Sequence, residues 1–287
     1  MSLSDRIKRL AGLAEEAARP RAHVLAVAAQ KGGVGKTTTA VNLSVALARY
    51  ANQRTLLVDL DGQGHVATAL ASVYQDGSPV SMSDVLLGHG RDVMEIVHPT
   101  RIDLLSVTPS DKGLASAEGV LAGRIGKEFL LRAALRKARE RFDVIVLDCP
   151  PNLGNLTLNA LMAADSCLVP CDMSVLAMAG VVDLLAVVDT LQDRLDHGVR
   201  VLGVLPTRVD RRNARVTQAV LQDLDDTYGD LVLATRIPVS SALARAQMEG
   251  VPVFDYDPAA SGSVAYRALS EEVASRLGLG LAVSASA

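Results

Sequence analysis

The residues Gln30-Lys31-Gly32-Gly33-Val34-Gly35-Lys36-Thr37-Thr38-Thr39 bring three glycines, two lysines and three threonine hydroxyls together. The chemistry that such a stretch can do is the holding of an anion. An apolar run over residues 23–29 (HVLAVAA) stops at the glycines, and a helix-compatible run, TTTAVNLSVALARY, leaves them. Strand, tight turn and helix start point unpaired backbone N–H groups and the positive end of the helix dipole at one spot. Lys36 adds a point charge suited to β- and γ-phosphates, and the Thr37 hydroxyl is placed to ligate Mg²⁺. The plainer alternative is a glycine-rich loop before an ordinary helix. The strand pattern before it and the helix pattern after it argue against that.

Carboxylates follow at two places. Residues 54–60 (RTLLVDL) read as a buried strand that runs into Asp59-Leu60-Asp61-Gly62-Gln63-Gly64. Ligands of open α/β sheets bind at the carboxyl ends of parallel strands, and the two-residue period puts Asp59 and Asp61 on one side. Capping of a helix that starts near Gln63 is the local alternative for this pair. Residues 142–151 (FDVIVLDCPP) form a second such strand, ending in Asp148. A carboxylate there has the placement that takes a Mg²⁺-bound water in phosphoryl transfer.

The general phosphate-loop pattern has a glycine five residues before the Gly-Lys-Thr glycine; here Gln30 stands there, with Lys31 after it. The string KGGVGKTT resembles the deviant Walker-A P-loop ATPases of the ParA/MinD family. The likeness covers about residues 22–277 and points within the family to ParA-like (Soj-like) chromosome and plasmid partition ATPases. It implies ATP and Mg²⁺ as cofactors, with Gly32, Gly33, Val34, Gly35, Lys36, Thr37 and Thr38 around the phosphates. Lys31 would reach the nucleotide of the facing subunit in an ATP-bound homodimer, and Lys31, Lys36 and Asp61 would carry catalysis.

The second string resembles the family's D-x-D-P-Q-G, with Gly62 where proline is usual. By the resemblance Thr37 ligates Mg²⁺ directly, Asp59 and Asp148 hold it through water, and Asp61 orients the attacking water. Glycine in place of proline loosens the backbone beside Asp61, which bears on the hydrolysis rate. Asp148-Cys149-Pro150-Pro151-Asn152-Leu153-Gly154-Asn155 resembles the switch that senses the γ-phosphate, and Thr207, Arg208 and Pro238 fall where the family meets adenine.

The elements that must position these residues are legible as an alternation. Strands are expected at 54–60, 102–108, 142–151, 166–170, 199–205 and 231–236. Helices are expected after the phosphate loop and at 82–87, 126–141, 156–164, 176–195, 214–227, 241–249 and 263–277. Such an order makes an α/β fold: a mostly parallel, twisted β-sheet with helices on both faces. Three regions are expected: a helical extension over 1–21, with an amphipathic stretch at 3–19, the ATPase domain over 22–277, and a frayed tail over 278–287.

At 287 residues, half of them hydrophobic, the chain can bury one good-sized core. A net charge of −3 means that any nucleic-acid contact must come from a local patch. The candidates are Arg208, Arg211, Arg212 and Arg215 in TRVDRRNARV, with Arg236 and Arg245 on either side of a neutral stretch over 239–242; a solvated arginine-rich loop is the alternative. No run is long and apolar enough to span a membrane, and Arg267 and Arg276 are the only bases in a C-terminal helix that also carries Glu271 and Glu272. Cys149, Cys167 and Cys171 make an odd count with no framework spacing, and Cys167 and Cys171, at either end of CLVPC, suit buried thiols better than a metal or cluster pair.

The resemblance therefore implies a cytoplasmic, nucleoid-associated ATPase that dimerises on ATP and binds duplex DNA without sequence preference. Hydrolysis, stimulated by a ParB-like or adaptor protein, would release it. The alternatives are a MinD-like positioning factor that recruits a protein or membrane target without DNA, and a cluster-bearing reductase.

Overall fold

The computed structural model describes residues 21–74, 80–88, 91–195, 197–210, 212 and 214–279. The expected helix over 3–19, Arg211, and the tail from residue 280 lie outside the described residues.

The chain begins with β1 (His23–Val27), turns through the glycines, and enters α1 (Lys36–Tyr50). It continues through β2 (Thr55–Asp59), α2 (His65–Ala69), α3 (Met82–Leu87), β3 (His98–Pro99), β4 (Leu105–Thr108) and α4 (Gly113–Ala122). Then come α5 (Leu130–Ala134), α6 (Ala138–Arg141), β5 (Val144–Asp148), α7 (Asn155–Ala163), β6 (Ser166–Asp172) and α8 (Val175–Leu195). The last elements are β7 (Arg200–Thr207), α9 (Ala214–Tyr228), α10 (Ser241–Glu249), α11 (Val253–Tyr256) and α12 (Ser261–Leu277).

The strands form one seven-stranded sheet in the order β3-β4-β2-β5-β1-β6-β7. Every pairing is parallel except the short β3–β4 pair at the edge. Both faces are covered, which is why the strands read as continuous apolar runs: β2 and β5 are buried at every position. The two-residue period splits them between two cores. Val24, Ala26, Ile145 and Leu147 face the side packed by α7 and α8, whereas Leu25, Val27, Val144 and Val146 face α1 and α12. Because every parallel strand ends on the same rim, the turn after β1, Asp59 and Asp148 meet there. Among the described residues no helix is long and apolar enough to cross a membrane.

Three expectations need correction. The strand expected at 231–236 is reduced to an isolated bridge, Val204 to Val232. Its next amides go elsewhere: the Glu272 carboxylate accepts the N–H of Ala234 at 3.0 Å and that of Thr235 at 2.9 Å. The basic helix expected at 126–141 is broken into a 3₁₀ turn at Lys127–Phe129, α5 and α6. Finally, Asp59 is the last residue of β2 and Asp61 lies past the strand's end, so the two do not share one strand.

Candidate nucleotide site

Glycine is required by geometry in the turn after β1: Gly33 has φ 77° and Gly35 φ 94°, left-handed values that cost an L side chain. Gly35 caps α1 with no side-chain acceptor, so the amides that open the helix keep their donors for a ligand. β7 braces the loop from behind. The Thr207 hydroxyl donates to the Val34 carbonyl at 2.8 Å, and the Arg208 guanidinium donates to the Gly33 carbonyl at 3.3 Å. Arg208 itself takes a left-handed φ of 52°, uncommon for a non-glycine residue.

Lys36 is the first residue of α1 and is buried; its ammonium donates to the Lys31 carbonyl at 3.0 Å. Burial lowers its pKa, with the Asp148, Cys149 and Asp61 charges opposing. The Lys31 ammonium stays on its own chain, 3.0 Å from the Asp172 carboxylate at the end of β6 and 2.9 Å from the Ser174 hydroxyl.

Asp59 and Asp148 are register partners across β2 and β5, and both are fully buried. One Asp59 oxygen accepts the Asp61 N–H at 3.0 Å. The other Asp59 oxygen and both Asp148 oxygens have no hydrogen-bond partner. Burial pushes the Asp59 carboxyl up to about 7. It pushes Asp148 well above the ordinary carboxylate range, the Asp59 charge adding to it and the nearby Thr37 hydroxyl pulling the other way.

Buried carboxylate oxygens left without donors, beside a hydroxyl and a lysine, form a donor set for a hard divalent cation that keeps part of its water. Thr37, Asp59 and Asp148 therefore fit Mg²⁺. Among the described residues no group of three or more His, Cys, Asp or Glu is arranged to hold a metal alone.

Asp61 is half-buried and accepts the Gln63 N–H at 3.1 Å. Helix α2 is capped by Gly64, which has no side chain to offer its amides, and the Val66 N–H in its first turn pulls the Asp59 pKa down against burial. Both carboxylates also hold amides of the turn on the rim. Beside the phosphate loop, a cavity of about 350 Å³ is lined by Gly35, Thr38, Thr207, Arg208, Pro238 and Tyr266 among others. The structure thus joins the residues expected at the phosphates with those expected at the base.

The expected DNA arginines divide. Arg208 is committed to the phosphate loop. Arg212 is exposed and forms a forked pair with Asp210, both bonds at 3.0 Å. Arg236 lies 3.9 Å from Asp225, and Arg215 and Arg245 are exposed. Cys149, Cys167 and Cys171 are buried free thiols.

Two residues of the site were not anticipated. Asp172 ends a parallel strand on the same rim as Asp59 and Asp148, a signal the sequence carried. Glu118 accepts the N–H groups that open α7, next to the loop at 149–154, and nothing local announces a contact across 37 residues.

A family model described as an AAA domain, AAA_31, matches residues 22–201. The chain is 38% identical over 251 residues to the sporulation initiation inhibitor protein Soj of Bacillus subtilis, covering 88% of this chain and 98% of that one. It is 37% identical over 253 residues to the chromosome partitioning protein ParA of Myxococcus xanthus, covering 88% of each. Among solved structures, a Mycobacterium smegmatis protein described as cobyrinic acid a,c-diamide synthase, with a bound ATP analogue and magnesium, is 37% identical with a TM-score of 0.72. That match covers 87% of this chain and 93% of the other. The ATP complex of a Cyanothece McdA variant is 22% identical with a TM-score of 0.81, covers 93% and 100%, and shows the shared fold.

Proposed function

The chain belongs to the ParA/Soj-type family of P-loop ATPases, and from that membership we propose a positioning switch that binds ATP with Mg²⁺ and dimerises on it. The ATP dimer holds nonspecific duplex DNA, and hydrolysis, stimulated by a ParB-like or adaptor protein, releases it. One observation carries the reading: the donor-free carboxylate oxygens of Asp59 and Asp148 lie on the same rim as Lys36, Thr37 and the bare amides of α1.

The loop amides and the Lys36 ammonium cradle the phosphates. Thr37, Asp59 and Asp148 would hold Mg²⁺, which when bound would neutralise charge on the phosphoryl oxygens. Asp61 orients the attacking water and accepts its proton. Thr207, Arg208 and Pro238 border the space for the base. Lys31 leaves Asp172 when a second copy offers its nucleotide, exchanging one anion for another. Arg212, Arg215, Arg236 and Arg245 supply the phosphate contacts to DNA, and Arg211 belongs with them by sequence. The protein would then reside on the nucleoid.

Light scattering with and without ATP, joined to duplex co-sedimentation, tests the reading. Lys36→Ala is expected to abolish nucleotide retention, and Asp61→Ala to remain a dimer in ATP with little turnover. DNA retention by that dimer should fall steeply with salt and drop when Arg212 and Arg215 become Glu. A monomer in ATP refutes the switch. Binding to liposomes with no binding to DNA would replace the DNA target with a membrane one.

A further inference from the structure

Helix α4 stands between the two loops that face the nucleotide site, and it touches both. At its start, the Asp111 carbonyl lies 3.3 Å and the Leu114 Cβ 3.6 Å from where a Cβ on Gly62 would be. The residue after Asp61 therefore rests against the start of the helix, with little slack for a side chain. That end of the helix is stiff. The Asp111 carboxylate accepts the N–H of Gly113 at 2.7 Å, and from Ser83 both the N–H at 2.8 Å and the hydroxyl at 2.7 Å.

One turn further along α4, Glu118 reaches the other loop. One carboxylate oxygen accepts the Asn155 N–H, and the other accepts the Leu156 N–H at 3.1 Å. The Glu118 carbonyl also accepts the Asn155 side-chain amide at 3.0 Å. These are the first amides of α7, directly after the loop at 149–154. The N-cap of α7 is Gly154, which has no side chain to offer, so Glu118 is the acceptor for that helix start. Gly154 also admits it: a Cβ there would overlap the Glu118 carboxylate.

We propose that α4 is a strut coupling the Asp61 loop to the loop at 149–155, and that Glu118 is a positioning residue for hydrolysis. The catalytic part rests on the ATPase reading above; the mechanical part does not. A shift of residues 149–154 pulls the opening amides of α7, these draw Glu118 with them, and α4 changes its pressure on Gly62. Occupancy of the γ-phosphate position is thereby reported to the residue that orients water.

Hydrogen exchange on the nucleotide-free chain reads the coupling without turnover. Glu118→Ala removes both acceptors and should speed exchange at Asn155 and Leu156 by about tenfold or more. Gly62→Ala touches neither amide, yet its new Cβ meets the Asp111 carbonyl at 3.3 Å and presses on the start of α4, so the same amides should exchange about threefold faster. Unchanged exchange at 155 and 156 in Gly62→Ala overturns the strut. In steady-state hydrolysis, Glu118→Ala should lower kcat about tenfold and Glu118→Gln, which keeps one acceptor, about threefold, both with KM for ATP within about twofold. An unchanged kcat in Glu118→Ala, or a KM that rises as far as kcat falls, overturns the positioning role. A wild-type chain that hydrolyses no ATP refutes the ATPase reading and the positioning role with it; the exchange result still decides the strut.

Discussion

Three of the four oxygens of Asp59 and Asp148 are buried without a donor, and that arrangement has a measurable sign. Asp59 titrates near 7 in the fold against an ordinary 3.8, so between those values the folded chain holds a proton that the unfolded chain has lost. Stability must then fall as pH rises through that window, by up to about 4 kcal/mol from this group. Urea midpoints of the nucleotide-free chain should be higher at pH 5.5 than at pH 8, and Asp59→Asn should flatten the difference. Asp148→Asn is expected to stabilise the same chain at pH 8 by about 1–3 kcal/mol, because it removes a buried carboxyl whose ionisation no donor supports. The same change should weaken Mg²⁺-dependent nucleotide retention. Lys31 poses a separate competition. Its pair with Asp172 is partly exposed and worth up to about 1 kcal/mol, and a symmetric dimer releases two such pairs, so Asp172→Ala should let the ATP dimer form at up to about thirtyfold lower protein concentration. A dimer midpoint that does not move in light scattering would show that Asp172 does not restrain Lys31.

Among the elements, α3 and α10 fall where their sequences placed them, at 82–87 and 241–249, since each combines helical periodicity with a clear stop at Gly88 or Gly250. The phosphate loop and both carboxylate strands were legible because their signals are contiguous. What could not be read is what depends on distant partners. The stretch 231–236 has the composition of a strand, but Glu272 from α12 takes two of its amides before a ladder can form. The Glu272 side chain is largely buried and also pairs with Arg276 at 3.1 Å. Glu272→Ala should therefore cost about 1–3 kcal/mol in chemical unfolding, the penalty of leaving those donors unmet. A loss within experimental error would mean that water replaces the carboxylate. The Glu118 cap on α7 is hidden for the same reason: its acceptor and its donors belong to different crossovers.

At the scale of the whole molecule, the strand order decides when the site can exist. The phosphate turn follows β1, but β1 lies between β5 and β6, and the partner that anchors Lys31 lies 141 residues away. Translation therefore delivers the anion-binding turn long before either flank that must hold it straight. Nascent chains stalled before residue 143 should lose ATP on washing, whereas chains extended past residue 207 on a sufficient tether should keep it; retention by the short ones would show that the turn forms without its flanks. ATP on this account has nothing to grip on a half-made polypeptide. It recognises only molecules whose synthesis has carried them through the second half of the sheet, so the ligand selects completed copies instead of guiding unfinished ones.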